Sequence, residues 1–248
     1  MLGRRQSYAE AVLGRRRMGR RLGVLLLVFV CYEALSGLFL STYQLRSVAM
    51  EPTLLPGDIL LATPLAFGPR TLFGKLPGLT HPLRGDLVVA EPNYVQGLGF
   101  WDMLFDSFVR FFTFQLVSPA RGEHTSRPDG ILSAPMLQRV VGLPGDTISM
   151  DDFIFKIKAA GSDQFLTEFE LSSARYDISH TDPPPSWRKE LPGSGHMESL
   201  VLGQEQYFLA GDARSVSSDS RLWGPVRSDR FRAKVLLRYW PLKSFGSP

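Results

Sequence analysis

Arg46-Ser47-Val48-Ala49-Met50-Glu51-Pro52-Thr53-Leu54-Leu55-Pro56-Gly57-Asp58 joins two contrasting parts of the chain. Before it runs an apolar stretch, Leu22 to Tyr43, and after it apolar segments are broken by Gly and Pro. Pro56-Gly57-Asp58 has the composition of a turn. Gln44 to Met50 reads as a strand leading into it, and Ile59-Leu60-Leu61-Ala62 as a short apolar strand leading out. Side chains two apart on a strand share a face, so Ser47 and Ala49 are expected to point the same way.

Arg4, Arg5, Arg15, Arg16, Arg17, Arg20 and Arg21 all precede the apolar stretch, against the single acid Glu10. As a helix, residues 22–43 would extend about 33 Å at 1.5 Å per residue, which matches a bilayer core. Basic residues on its N-terminal side hold that end in the cytoplasm. The expectation is a single-pass anchor in the inner (cytoplasmic) membrane with the rest of the chain extracytoplasmic. A cleaved signal peptide competes, but its apolar core should be about 7–15 residues and end at a small-x-small site. The longer run favours an uncleaved anchor. Glu33 near its middle marks either a polar partner or a local deformation of the lipid.

The 248 residues, 44% hydrophobic, suffice for one sizeable core and a smaller lobe. The formal net charge is +4, and beyond the arginine cluster the charges nearly balance, which argues against a nucleic-acid partner. Cys31 is the only cysteine and lies inside the apolar run, so neither a disulfide framework nor a zinc cluster is available. His180 and His196 have no partner at metal-ligand spacing. No metal or cofactor is expected.

Three further stretches repeat the pattern of a turn beside an apolar strand. They are Arg84-Gly85-Asp86-Leu87-Val88-Val89, Leu137-Gln138-Arg139-Val140-Val141-Gly142-Leu143-Pro144-Gly145-Asp146-Thr147, and Phe208 to Gly224, which contains Gly211-Asp212-Ala213-Arg214 and Ser217-Ser218-Asp219-Ser220-Arg221. Ala233 to Trp240 reads as an apolar strand that closes the sheet. With the stretch at residues 46–58, these resemble, in order, the boxes of the type I signal peptidases, the bacterial leader peptidases of the serine-lysine protease family. The resemblance implies a mainly β, membrane-anchored, antiparallel β-sheet domain over 44–248, behind a basic tail at 1–21 and the transmembrane helix at 22–43. It also implies a smaller inserted β lobe at about 151–205.

Carried over residue by residue, the resemblance places Ala49 where the family has its nucleophilic serine and Gln138 where it has its general-base lysine. Ser47 matches the serine whose hydroxyl serves the oxyanion hole, and Ser217 the serine that orients the lysine amine. Asp219 and Arg221 match the buried ion pair beneath it. Ala213 departs from the family's asparagine. Met50 and Pro52 fall at substrate-binding positions. A methyl group has neither proton nor lone pair, so Ala49 cannot attack a carbonyl. A carboxamide is essentially non-basic near pH 7, so Gln138 cannot take a nucleophile's proton, and Arg139 stays charged.

An aromatic insertion occupies about 91–130. Within it, Leu98 to Val117 carries Phe100, Trp101, Phe105, Phe108, Phe111, Phe112 and Phe114, with Asp102, Asp106 and Arg110 four residues apart. On a helix those charges form a narrow polar stripe. Either this helix docks on the domain's own core, or it sits at headgroup level against membrane lipid. Lys156 and Lys158 alternate with apolar residues and read as solvated strand positions rather than replacement bases.

Three classes of function follow. The first is a catalytically inactive homologue that keeps the fold and binds signal peptides of preproteins. The second is an active type I signal peptidase with relocated catalytic groups, for which Ser47 lies about 6.6 Å along a strand from the nucleophile position and lacks a base. The third is a structural or partner subunit of an active signal peptidase paralogue.

Overall fold

The computed structural model describes residues 8–71, 74–93, 100–113, 117, 136–191 and 193–248. Arg4, Arg5, Phe114 and most of the insertion after Thr113 lie outside them, as do the side chains of Glu10, Glu33, Phe100 and Asp102.

The main body is a seven-stranded antiparallel sheet. Its strands are β1 (Ser41–Gln44), β2 (Ile59–Thr63), β5 (Leu87–Ala90), β6 (Met136–Gly142), β11 (Gln206–Ala210), β12 (Val226–Arg227) and β13 (Phe231–Trp240), in the order β1-β2-β13-β5-β6-β11-β12. The short β3 (Arg70–Thr71) and β4 (Gly74–Lys75) form a hairpin. A second lobe is a four-stranded sheet, β10-β7-β8-β9, built from β7 (Thr147–Asp151), β8 (Ile154–Lys158), β9 (Leu166–Thr167) and β10 (Met197–Val201). Short helices α3 (Glu168–Leu171) and α4 (Ser220–Trp223) complete the β portion. The lobe begins at Thr147, a few residues before the sequence boundary. Lys156 pairs with Asp151 at 2.9 Å on its solvent side, consistent with a solvated strand position.

The alternating strand pattern buries one set of side chains on each face. Leu60 and Ala62 of β2 meet Val89 of β5, Ala233 and Val235 of β13, and Met50 and Leu54 from the preceding loop. Ile148, Phe155 and Ile157 of the lobe pack on Val141, Phe208 and Ala210, so one apolar cluster joins the lobe to β6 and β11.

The repeated Gly-Asp turns share one device. Asp58, Asp86 and Asp146 each accept a backbone N–H three residues back, from Leu55 (3.0 Å), Leu83 (3.0 Å) and Leu143 (2.7 Å). Each also binds a cation from another strand or loop: Arg238 for Asp58, Lys234 for Asp86 and Arg84 for Asp146. These aspartates fix turns and strand neighbours, which accounts for the recurrent Gly-Asp without reference to catalysis.

Helix α1 spans Tyr8–Leu38 and α2 spans Phe100–Phe112. The expected helix over 22–43 therefore ends early. Ser41 to Gln44 pair with β2 from Ala62 to Ile59, and the Thr63 hydroxyl donates to the Phe39 carbonyl at 2.7 Å. A free strand edge outweighs helix continuation for Thr42 and Tyr43, whose side chains favour extended backbone. Among the described residues no helix is long and apolar enough to cross a membrane.

The strand expected from Gln44 to Met50 also stops at Gln44. Ser47 Oγ accepts the Ala49 N–H at 3.1 Å, and Glu51 and Leu54 donate to the carbonyls of Val48 and Met50. A hydroxyl that binds backbone two residues on competes with strand pairing, and here it turns the chain. Ser47 and Ala49 are neighbours in a turn, not residues on one strand face.

Candidate functional site

The loop that carries Ala49 docks on the segment after β11. Ala213 donates its N–H to the Ala49 carbonyl at 3.0 Å, and Ser217 donates its N–H to the Ala213 carbonyl at 3.0 Å. The approach requires a glycine at 211, since a Cβ there would lie 2.4 Å from Ser217 Cβ and 2.5 Å from the Ala49 carbonyl oxygen. Gln138 enters from β6, where it sits opposite Val88, and donates Nε2 to the Ser218 carbonyl at 3.0 Å. Its side chain is 2% exposed, and its Oε1 is buried without a hydrogen-bond partner.

Beneath this junction lies a closed polar group. Ser217 donates its hydroxyl to Asp219 Oδ2 at 2.5 Å and accepts from Arg221 Nη2 at 2.8 Å. Asp219 also accepts from Arg221 Nε and Nη2 and from the N–H groups of Arg221 and Gly211. The carboxylate is fully buried, so charge-assisted bonds and the ion pair satisfy it where water cannot. Asp219 thus accepts from Ser217, Arg221 and the Gly211 backbone at once.

Ala49, Ser47, Gln138, Ser217, Asp219 and Arg221, named from the sequence, are thus brought to one place by the turn at 46–50, strand β6 and the loop after β11. Met50 and Pro52 diverge from it. Met50 is fully buried in the main core, and Pro52 is exposed.

A second charged network was not picked out from the sequence as part of the site. Arg139, adjacent to Gln138, forks onto Asp212 with Nε–Oδ1 at 2.8 Å and Nη2–Oδ2 at 2.6 Å, and gives Nη1 to the Gly85 carbonyl at 2.9 Å. Thr53 adds its hydroxyl to Asp212 at 2.5 Å. One guanidinium therefore ties together the stretches at 46–58, 84–89, 137–147 and 208–224. Tyr176 lies 3.8 Å under Arg139 and donates its hydroxyl to Glu168, which also pairs with Arg214 and accepts the Phe155 N–H. Burial, then the neighbouring Glu168 carboxylate, pushes the Tyr176 phenol well above its ordinary range. The opposite charges of Arg139 and Asp212 within two matched boxes were the available sign of their link. Glu168 and Tyr176 fall in an irregular polar stretch that gave none.

Chemically, the junction holds a methyl group, a non-basic carboxamide and two hydroxyls. Ser47 accepts a backbone N–H, and Ser217 is bonded to an ion-paired carboxylate. Among the described residues no group of His, Cys, Asp and Glu is arranged to hold a metal ion.

The family model described as signal peptidase, peptidase S26, matches residues 16–240, and the chain belongs to that family. It is similar to signal peptidase IB of Staphylococcus aureus, with 30% identity over 110 residues, which cover 44% of this chain and 55% of that relative. It is also similar to the probable signal peptidase I-2 of Synechocystis, with 23% identity over 140 residues and 54% of each chain covered. The chain spans about half the length of these curated relatives. A solved signal peptidase I of Enterococcus faecalis is 17% identical, with 63% of this chain and 98% of that chain covered and a TM-score of 0.32.

Proposed function

We propose that this chain is a catalytically inactive signal peptidase I homologue that binds the signal peptides of preproteins without cutting them. The observation that carries the reading is the pairing of an intact support with an unusable base position. Ser217, Asp219 and Arg221 form a complete hydrogen-bonded floor, while the side chain above it is a carboxamide held on the Ser218 carbonyl. With a methyl group at Ala49, neither proton transfer nor nucleophilic attack has a residue to perform it.

The same reading has α1 attach the protein to the inner membrane. The basic end would be cytoplasmic and the β domain on the outer side. Leu22 to Leu38 supplies about 26 Å of helix, short of the roughly 30 Å hydrocarbon core, so the attachment is read from the arginine cluster and the apolar run rather than from the length of α1. The partners are signal peptides, the lipid around α1, and an active signal peptidase drawing on the same peptides.

Peptide capture by backbone pairing needs no nucleophile. Purified full-length protein in detergent is expected to hold a labelled signal peptide ending in Ala-x-Ala, measured by fluorescence anisotropy, and to leave it uncut. Replacing both alanines by bulky residues, or scrambling the leader at equal hydrophobicity, should weaken the hold. Equal binding of all three peptides would sink the reading.

A further inference from the structure

The two long helices leave an apolar exterior that nothing in the described fold covers. On α1 the side chains from Leu22 to Val28 are exposed, and the exposed Arg15, Arg16, Arg17, Arg20 and Arg21 precede them. Helix α2 packs against the middle of α1. Phe111 sits 5.2 Å from Phe29 and 5.0 Å from Tyr32, ring centre to ring centre, and Tyr32 donates its hydroxyl to the Arg110 carbonyl at 3.3 Å. Trp101, Phe105, Phe108 and Phe112, spaced at i, i+4, i+7 and i+11, form the adjoining face of α2 and are 76%, 60%, 54% and 64% exposed; Phe108 borders the α1 contact, 6.3 Å from Phe29. Asp106 is only 2% exposed, so that charge is turned away from the aromatic face.

We propose that α2 is embedded in the hydrocarbon of the outer leaflet, with Trp101 nearest the headgroups and Phe112 deepest. This rests on the membrane attachment through α1 proposed above and is independent of peptide binding. The depth follows from α1. Phe29 lies nine residues before Leu38, where the helix hands over to the domain, and so about 14 Å down the helix. One leaflet contributes roughly 15 Å of hydrocarbon. The direction follows from Asn93, which donates Nδ2 to the Pro225 carbonyl at 2.8 Å and so ties the chain entering α2 to the domain surface. We take α2 to begin on the domain side, and its end is beside Phe29.

Thirteen residues make about 20 Å of helix, too short to cross a bilayer. The strands before and after the insertion, β5 and β6, are direct neighbours in one sheet, so the chain leaves and re-enters the domain on the same side. A helix satisfies its own backbone in lipid, and Trp at the interface with Phe below it is the order that lipid favours. The occupant of the aromatic face is acyl chain, continuous with the lipid around α1. The insertion then lies deeper than the headgroup position considered from sequence.

The test uses full-length protein carrying Cys31→Ala and one of Leu26→Cys, Trp101→Cys, Phe112→Cys or Val201→Cys, each labelled with an environment-sensitive fluorophore. The proteins are reconstituted in vesicles of phosphatidylethanolamine and phosphatidylglycerol bearing nitroxide either on the headgroup or at acyl carbon 12. Phe105→Cys replaces Trp101→Cys if the latter melts differently from the parent. The acyl nitroxide should quench the label at 112 at least twofold more than the headgroup nitroxide. The label at 101 should show the reverse order, and the one at 201 should respond only to aqueous iodide. Equal shallow quenching at 101 and 112 would overturn the proposal, as would iodide access at 112 equal to that at 201. Shielding of 112 from every quencher would also overturn it, because protein rather than lipid would then cover the face. The label at 26 separates the two readings. Deep quenching there without quenching at 112 defeats this proposal alone, whereas iodide access at both defeats the membrane attachment as well.

Discussion

Gln138 gives its amide to the Ser218 carbonyl at 3.0 Å, while the Ser217 hydroxyl next in the chain is bonded to Asp219 and Arg221. The Gln138 amide and the Ser217 hydroxyl thus make separate hydrogen bonds from neighbouring points of one junction. Gln138→Lys would put an amine into a site that is 2% exposed, and burial depresses its pKa below the unfolded value near 10.4. The charged form is then favoured by unfolding, and the stability deficit is largest at low pH. Denaturant melts of Gln138→Lys and the parent should converge as the pH rises toward about 10.

Gly211 is the contact point between the two halves of the junction. Gly211→Ala should destabilise the protein by roughly 1–3 kcal/mol, because its methyl group overlaps both the Ala49 carbonyl and Ser217. The same substitution at Gly161, around which a Cβ meets nothing within 4 Å, should cost less even though Gly161, unlike Gly211, has a positive φ. Equal losses in thermal melts would show that the close approach is not what constrains position 211.

Tyr176 supplies a pH signature of the second network. Its phenol is held protonated by burial and by Glu168, so its folded-state pKa is raised. The corresponding stability is fully present below the ordinary tyrosine range and is lost as pH rises toward the folded value. Above about pH 10 it declines by up to about 1.4 kcal/mol per unit. Tyr176→Phe should be less sensitive to pH between about 10 and 12 than the parent, and parallel curves would remove Tyr176 as the cause.

The strands around the site were readable in advance because each box couples a β-rich apolar run to a turn residue. Leu87–Ala90, Met136–Gly142 and Phe231–Trp240 are such runs. The path at Ser47–Ala49 was not readable, because a serine hydroxyl bonding backbone two residues on overrides local strand preference and leaves no hydrophobic trace. The end of α1 was misplaced for a related reason: Ser41 to Gln44 are claimed by the edge of β2, a partner distant in sequence. Arg139 and Asp212 were visible as residues, but their joint contact with Thr53 and Gly85 is a property of four segments meeting in space. Met50, at a substrate-binding position by resemblance, is buried in the core cluster beside Leu54.

The central claim is that catalysis is missing because two side chains are, while the floor that would serve them is in place. The most direct measurement is cleavage of a preprotein by four purified full-length proteins: the unmodified chain, Ala49→Ser, Gln138→Lys and the double variant. The account predicts no product from the first three, since a serine without a base and a lysine without a nucleophile are each inert. It predicts product from the double variant, lost again when Ser217→Ala removes the hydroxyl beneath the new amine. Cleavage by the unmodified chain, abolished by Ser47→Ala, would contradict it and make Ser47 the nucleophile.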